Sequence, residues 1–82
     1  MKLFISKKAE KELDKIPDPI AKNIIKHILT LSTNPYPPNS KKLQGENNYR
    51  LRVGSFRAIY YFDKKYHEIT IFRVADRKTI YR

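Results

Sequence analysis

An α+β domain is what this sequence predicts, with two helices packed on one face of an antiparallel sheet. Three observations predict it. Apolar residues recur at helical spacing from Ala9 to Leu31, then alternate from Tyr49 onward. A Pro-rich connector, NPYPPNS at 34–40, separates the two regimes. No internal repeat and no second shift of composition occurs, so residues 1–82 form one domain.

Each element follows from its own residues. KLFIS, residues 2–6, reads as a short strand with Leu3 and Ile5 on one face, and it joins the same sheet. Ser6 caps the next helix, SKKAEKELDKI, along which Ala9, Leu13 and Ile16 share a face and the Lys and Glu residues a solvated one. Pro17-Asp18-Pro19 breaks that helix. Asp18 is the expected N-cap of a second helix, with Pro19 in its first turn. Ile20, Ile24, Ile28 and Leu31 make the apolar stripe of this helix, widened by Ile25 and Leu29. So short a link predicts an antiparallel helical hairpin. KKLQGENN reads as an irregular approach with Gly45 at a turn. In YRLRVG, Tyr49, Leu51 and Val53 alternate with Arg50 and Arg52, one face apolar and the other cationic. Gly54-Ser55 signals a tight turn. FRAIYYF (56–62) and ITIFRVA (69–75), with DKKYHE (63–68) between them, complete a C-terminal three-stranded meander. The order of elements is β-α-α-β-β-β.

Composition narrows the function. There is no cysteine, so no disulfide framework and no thiolate site, and His27 and His67 are too few for a zinc centre. The opening MKLFIS is too short in apolar residues for a signal peptide, and no stretch approaches a membrane span, so a cytoplasmic protein is expected. The net charge of +10 attracts polyanions. Its two cations are segregated. Residues 1–48 hold nine Lys, no Arg and five acids, a net of +4, whereas residues 49–82 hold six Arg, three Lys and three acids, a net of +6. Arginine offers a planar fork that matches phosphate oxygens, and lysine only a hydrated point charge.

Strand alternation aims Arg50 and Arg52 at the outer side of the sheet. Arg57 follows on the paired strand, Arg77 comes just past the last strand, and Tyr81 lies four residues on. A meander can bring these five within reach of one patch. Spacing alone leaves another reading open, since alternate arginines also solvate a sheet face and discourage edge-to-edge pairing. Tyr81 reads either as a packing clamp or as a base-stacking platform. Tyr60, Tyr61 and Tyr66 read as core or surface aromatics, and His27 as a surface residue.

The run KKLQGENNYRLRVGSFRAIYYFD, followed by ITIFRVADRKTIYR, resembles the RelE/ParE toxin superfamily in the order of its parts: KLxG, YRLRVG, FRAIYY, a hydrophobic strand, then DRKxIYR. With the helical hairpin the resemblance covers nearly the whole chain. The RelE-like branch, to which the chain is similar, comprises ribosome-dependent mRNA endoribonucleases acting in the ribosomal A site and restrained by a cognate antitoxin. The ParE-like branch targets DNA gyrase. The resemblance implies that Arg50, Arg52, Arg57, Arg77 and Tyr81 bind RNA, that Arg57 and Arg77 clamp the scissile phosphate, and that Tyr81 stacks on a base. Two positions depart from the familiar pattern. Both Arg50 and Arg52 stand where lysine is common, and Asp76 stands where histidine or lysine often precedes the second arginine.

Internal RNA cleavage through the substrate 2′-OH needs one proton taken, one proton given and charge stabilised on the phosphorane. Guanidiniums suit the third task. They suit the first poorly, because their pKa lies far above ambient pH. Asp76 is the acid beside the cluster, readable as a proton acceptor or, preferably, as an ion-pair tether for Arg73 or Arg77. Asp63, Glu68 and Asp76 form no pair at magnesium spacing, and the reaction calls for no cofactor or metal.

Overall fold

The computed structural model describes residues 1–45 and 47–80. Its elements are β1 (Lys2–Ile5), α1 (Lys7–Asp14), α2 (Asp18–Thr30), β2 (Ser40–Lys42), β3 (Asn48–Val53), β4 (Phe56–Asp63) and β5 (Glu68–Asp76). The strands form one sheet in the order β1-β5-β4-β3-β2. Three of its pairings are antiparallel, and β1 joins β5 in parallel. This is the α+β architecture expected, with α1 lying over β5 and α2 over β3.

Ser6 caps α1 as its position implies: its hydroxyl accepts the Ala9 amide at 3.1 Å and donates to the Phe72 carbonyl at 3.0 Å. The same residue therefore starts the helix and ties it to β5. Asp18 does not cap α2. Pro17 takes that place in an extended conformation, and its carbonyl accepts the Ile20 and Ala21 amides. Asp18 and Pro19 become the first two helical residues, where a carboxylate still favours the positive helix end.

The irregular approach expected at 41–48 contains a strand. Lys41 pairs with Arg50 and Lys42 with Tyr49, and Asn39 extends the ladder through two bonds with the Arg52 backbone, at 2.9 and 2.7 Å. No apolar alternation marks Ser40–Lys42 because it is a short, half-exposed edge, a position that cations suit.

The core forms between the helices and one sheet face. Ala9, Leu13, Ile24, Ile28 and Leu31 meet Tyr49, Leu51, Val53, Ala58, Tyr60, Phe62, Ile69, Ile71 and Val74. The apolar stripe of α2 is narrower than its sequence implies. Ile20, Ile25 and Leu29 are exposed, because α1 settles over β5 and does not cover that flank. The Pro-rich connector is held by aromatic contacts. Tyr60 stacks on Tyr49 with centroids 5.3 Å apart, Tyr36 packs edge-on to Phe62, and the Tyr60 hydroxyl donates to the Pro35 carbonyl at 2.6 Å. Burial pushes the Tyr60 phenol up to about 12, so it remains a neutral donor there.

Candidate functional site

The sheet face opposite the helices carries the arginines. Leu51 and Val53 are buried toward the helices, so Arg50 and Arg52 project from the other side. Register then adds their neighbours: Arg50 lies between Lys41 and Ile59, and Arg52 directly opposite Arg57. Two cations facing each other across a ladder repel. Arg57 is held in that position by its own hairpin, donating from Nη1 to the Gly54 and Phe56 carbonyls, each at 2.9 Å. Gly54 allows this turn. Its φ of +61° lies in the left-handed region that side-chain-bearing residues avoid.

Arg77 meets the same turn from the other direction, its amide donating to the Ser55 carbonyl at 2.9 Å. The side chain of Arg57 and the backbone of Arg77, just past β5, are thus both bonded to residues 54–55. Ser55, Asp76, Arg77 and Lys78 line a small recess of about 300 Å3. Tyr81 lies outside the described residues.

Asp76 ends β5 and builds the turn that follows. Its Oδ1 accepts the Lys78 amide at 2.8 Å, the Thr79 amide at 3.2 Å and the Thr79 hydroxyl at 3.2 Å. The Lys78 amide is the main reason its carboxyl titrates below the usual range, with the Thr79 bonds adding to it. The expected ion-pair tether to Arg73 or Arg77 does not form among the described residues. Arg73 pairs at 3.1 Å with Glu12 of α1, whose other oxygen accepts the Val74 amide at 2.8 Å. Arg73 also donates to the Ile80 carbonyl at 3.1 Å, which binds the segment after β5 back onto the sheet. Asp76→Asn keeps an acceptor oxygen for the turn, whereas Asp76→Ala removes it. The expected outcome is near-wild-type activity for the first and a clear loss for the second, read as growth after induction. A collapse with Asp76→Asn would restore the proton-acceptor role.

Three neighbours escaped the sequence reading. Asn23 and His27 of α2 and Lys41 of β2 line, with Arg50 and Arg52, an open cleft of about 710 Å3 at the β2 edge. Asn23 and His27 are one helical turn apart and so share a face. That spacing was visible, but its direction depended on how α2 lies across β3. Among the described residues no three His, Cys, Asp or Glu side chains gather as a metal site, and no helix is long and apolar enough to cross a membrane.

Comparison with known proteins places the chain. Residues 3–81 match the family model described as the ParE toxin of the type II toxin–antitoxin system parDE. The chain belongs to the ParE toxin family. Solved structures agree with a toxin of that superfamily. The RelE–RelB complex of the archaeon Pyrococcus horikoshii superposes with a TM-score of 0.85 at 26% identity, covering 95% of this chain and 96% of that one. The RelB–RelE antitoxin–toxin complex of Methanococcus jannaschii gives 0.77 at 29% identity, covering 95% and 94%. A toxin–antitoxin complex of Mycobacterium tuberculosis gives 0.80 at 25% identity, covering 93% and 96%. No curated protein sequence matches the chain significantly. This ParE-family protein is thus a toxin of a type II toxin–antitoxin system, and its arginine-bearing face is the candidate site.

Proposed function

We propose that this toxin is a ribosome-dependent mRNA endoribonuclease, held inactive by a cognate antitoxin. The observation that carries the reading is the gathering of Arg50, Arg52 and Arg57 on one sheet face, with Arg77 at the turn that fixes Arg57. In this reading the substrate 2′-OH gives its proton to water and attacks the adjacent phosphorus, the P–O5′ bond breaks, the 5′-oxygen leaves as a hydroxyl after taking a proton from water, and a 2′,3′-cyclic phosphate remains. Arg57 and Arg77 take up the charge that grows on the phosphorane. Arg50 and Arg52 hold the flanking backbone, and Tyr81 stacks on a base. The carbonyls that hold Arg57 keep its charge oriented before the substrate arrives, which is where electrostatic stabilisation has most effect. Asp76 acts by shaping the turn that carries Arg77. The work would take place in the cytoplasm, at the ribosomal A site, without a metal or other cofactor.

The restraining partner follows from the relatives. The archaeal RelE proteins are complexed with RelB antitoxins. With a net charge of +10, this chain suits an antitoxin bearing an acidic segment. A second reading is favoured by one finding, the ParE family model, and makes the protein a DNA gyrase inhibitor or a silent relative that only engages its antitoxin.

Primer extension on a reporter mRNA after induction separates the two. Codon-phased cuts, reproduced with purified ribosomes, are the expected result. Intact mRNA with broken DNA would give the function to gyrase, and intact mRNA and DNA would leave antitoxin binding alone.

A further inference from the structure

The face that carries the arginines has a second half of different chemistry. Moving from β3 toward β1, the outward positions become aromatic. The pairing Phe4–Thr70–Tyr61–Asn48 runs across four strands on this side. Phe4 is 48% exposed and Phe72 40%. Tyr60 and Phe62 are buried, so Tyr61 between them points out. Its ring meets Phe72 with centroids 6.4 Å apart and planes tilted by 54°. A register shift between Ile59 and Tyr60 makes this possible, because it leaves Phe72 as the extra residue of β5. Ile59 then joins the aromatic half to Arg50 and Lys41.

The exposed aliphatic side chains of α2, Ile20, Ile25 and Leu29, belong to the helical layer on the opposite side of the sheet. The sheet face instead pairs rings with guanidiniums. A segment of a partner protein would be served equally well by aliphatic residues. A single nucleic-acid strand is the ligand whose two chemistries, a flat base and an anionic phosphate, match rings beside cations. Arg57 and Tyr61 stand four residues apart on β4, roughly 14 Å along the strand, so a strand gripped at the arginines reaches the rings with its neighbouring nucleotides.

We propose that Tyr61 and Phe72, with Phe4 beside them, form a base-stacking platform for single-stranded RNA flanking the linkage held by the arginines. This rests on the nuclease reading and adds a subsite to it. The platform sets grip on the flanking nucleotides, while the arginines carry the charge.

The test is a titration of the full-length toxin with a fluorescent 2′-O-methyl oligoribonucleotide, which carries bases and phosphates but cannot be cut. Phe72→Leu keeps the apolar bulk and loses the ring, Phe72→Tyr keeps the ring, and Tyr61→Leu removes the second ring. Each Leu variant is expected to weaken binding on the order of 10-fold, with Phe72→Tyr near wild type. The slope of affinity against salt should stay unchanged in the ring variants and become shallower in Arg52→Ala. Melting curves confirm that the variants fold. Wild-type affinity in both Leu variants overturns the platform, as does a loss confined to antitoxin binding, which would give the face to a protein. Absence of oligonucleotide binding by the wild type also overturns it. Cleavage on purified ribosomes is scored separately, so the nuclease reading can survive a failed platform.

Discussion

Arg57→Ala and Arg77→Ala are each expected to lower mRNA cleavage by roughly 10²–10³-fold and to abolish growth arrest, with the fold intact. The magnitude is that of removing one preorganised donor from a charged transition state. The Gly54-Ser55 turn anchors both residues, Arg57 through its side chain and Arg77 through its backbone amide. Arg57→Lys is the informative companion. It keeps the charge but loses the planar fork, and its cleavage should fall between wild type and alanine. Arg52→Ala should cost less, because it removes backbone grip rather than charge stabilisation at phosphorus. The readout is single-turnover cleavage on programmed ribosomes, with melting temperatures alongside. Near-wild-type cleavage in both alanine variants would remove the clamp from the mechanism.

Ile28→Ala is expected to destabilise the fold by about 2–5 kcal/mol. Ile28 is fully buried where α2 meets the sheet, among residues of both layers. A domain of this size has a stability toward the low end of about 5–15 kcal/mol, so this one change would leave a measurable unfolded fraction at growth temperature. Leu29 supplies the control. It is the next residue, yet 57% exposed, and Leu29→Ala should shift stability by no more than about 0.5 kcal/mol. Urea melts of the three proteins check the contrast. Equal midpoints for the two variants would mean that α2 is seated differently on the sheet.

Much of this architecture was legible because local signals agreed with the fold. The alternation in YRLRVG correctly put Leu51 and Val53 inside and Arg50 and Arg52 outside. Ser6 and Gly54 each occupy the position their chemistry suits. What was not legible depended on partners distant in sequence. Ser40–Lys42 is a strand because β3 offers it a ladder, and nothing in SKK announces that. The stripe of α2 seemed broad because the sequence does not say which flank α1 covers. Arg73 finds Glu12 across 61 positions of sequence, a pairing no spacing rule reaches. The site divided in the same way. The three strand arginines could be assigned to one face from period and turn length alone. The cleft wall formed by Asn23 and His27 could not, nor could the ring pair that depends on the register shift in β5.

The spatial order β1-β5-β4-β3-β2 also governs when the fold can form. β5, fifth of the strands in sequence, sits between β1 and β4, and Ser6 at the start of α1 is tied to Phe72. While the nascent chain still lacks β5, β1 has no neighbour and α1 has no surface to rest on. Such distant pairings delay folding until both partners are available. The ribosome that makes this protein therefore holds an incomplete sheet until β5 has been translated, and the arginine-bearing face gains this interior strand only then.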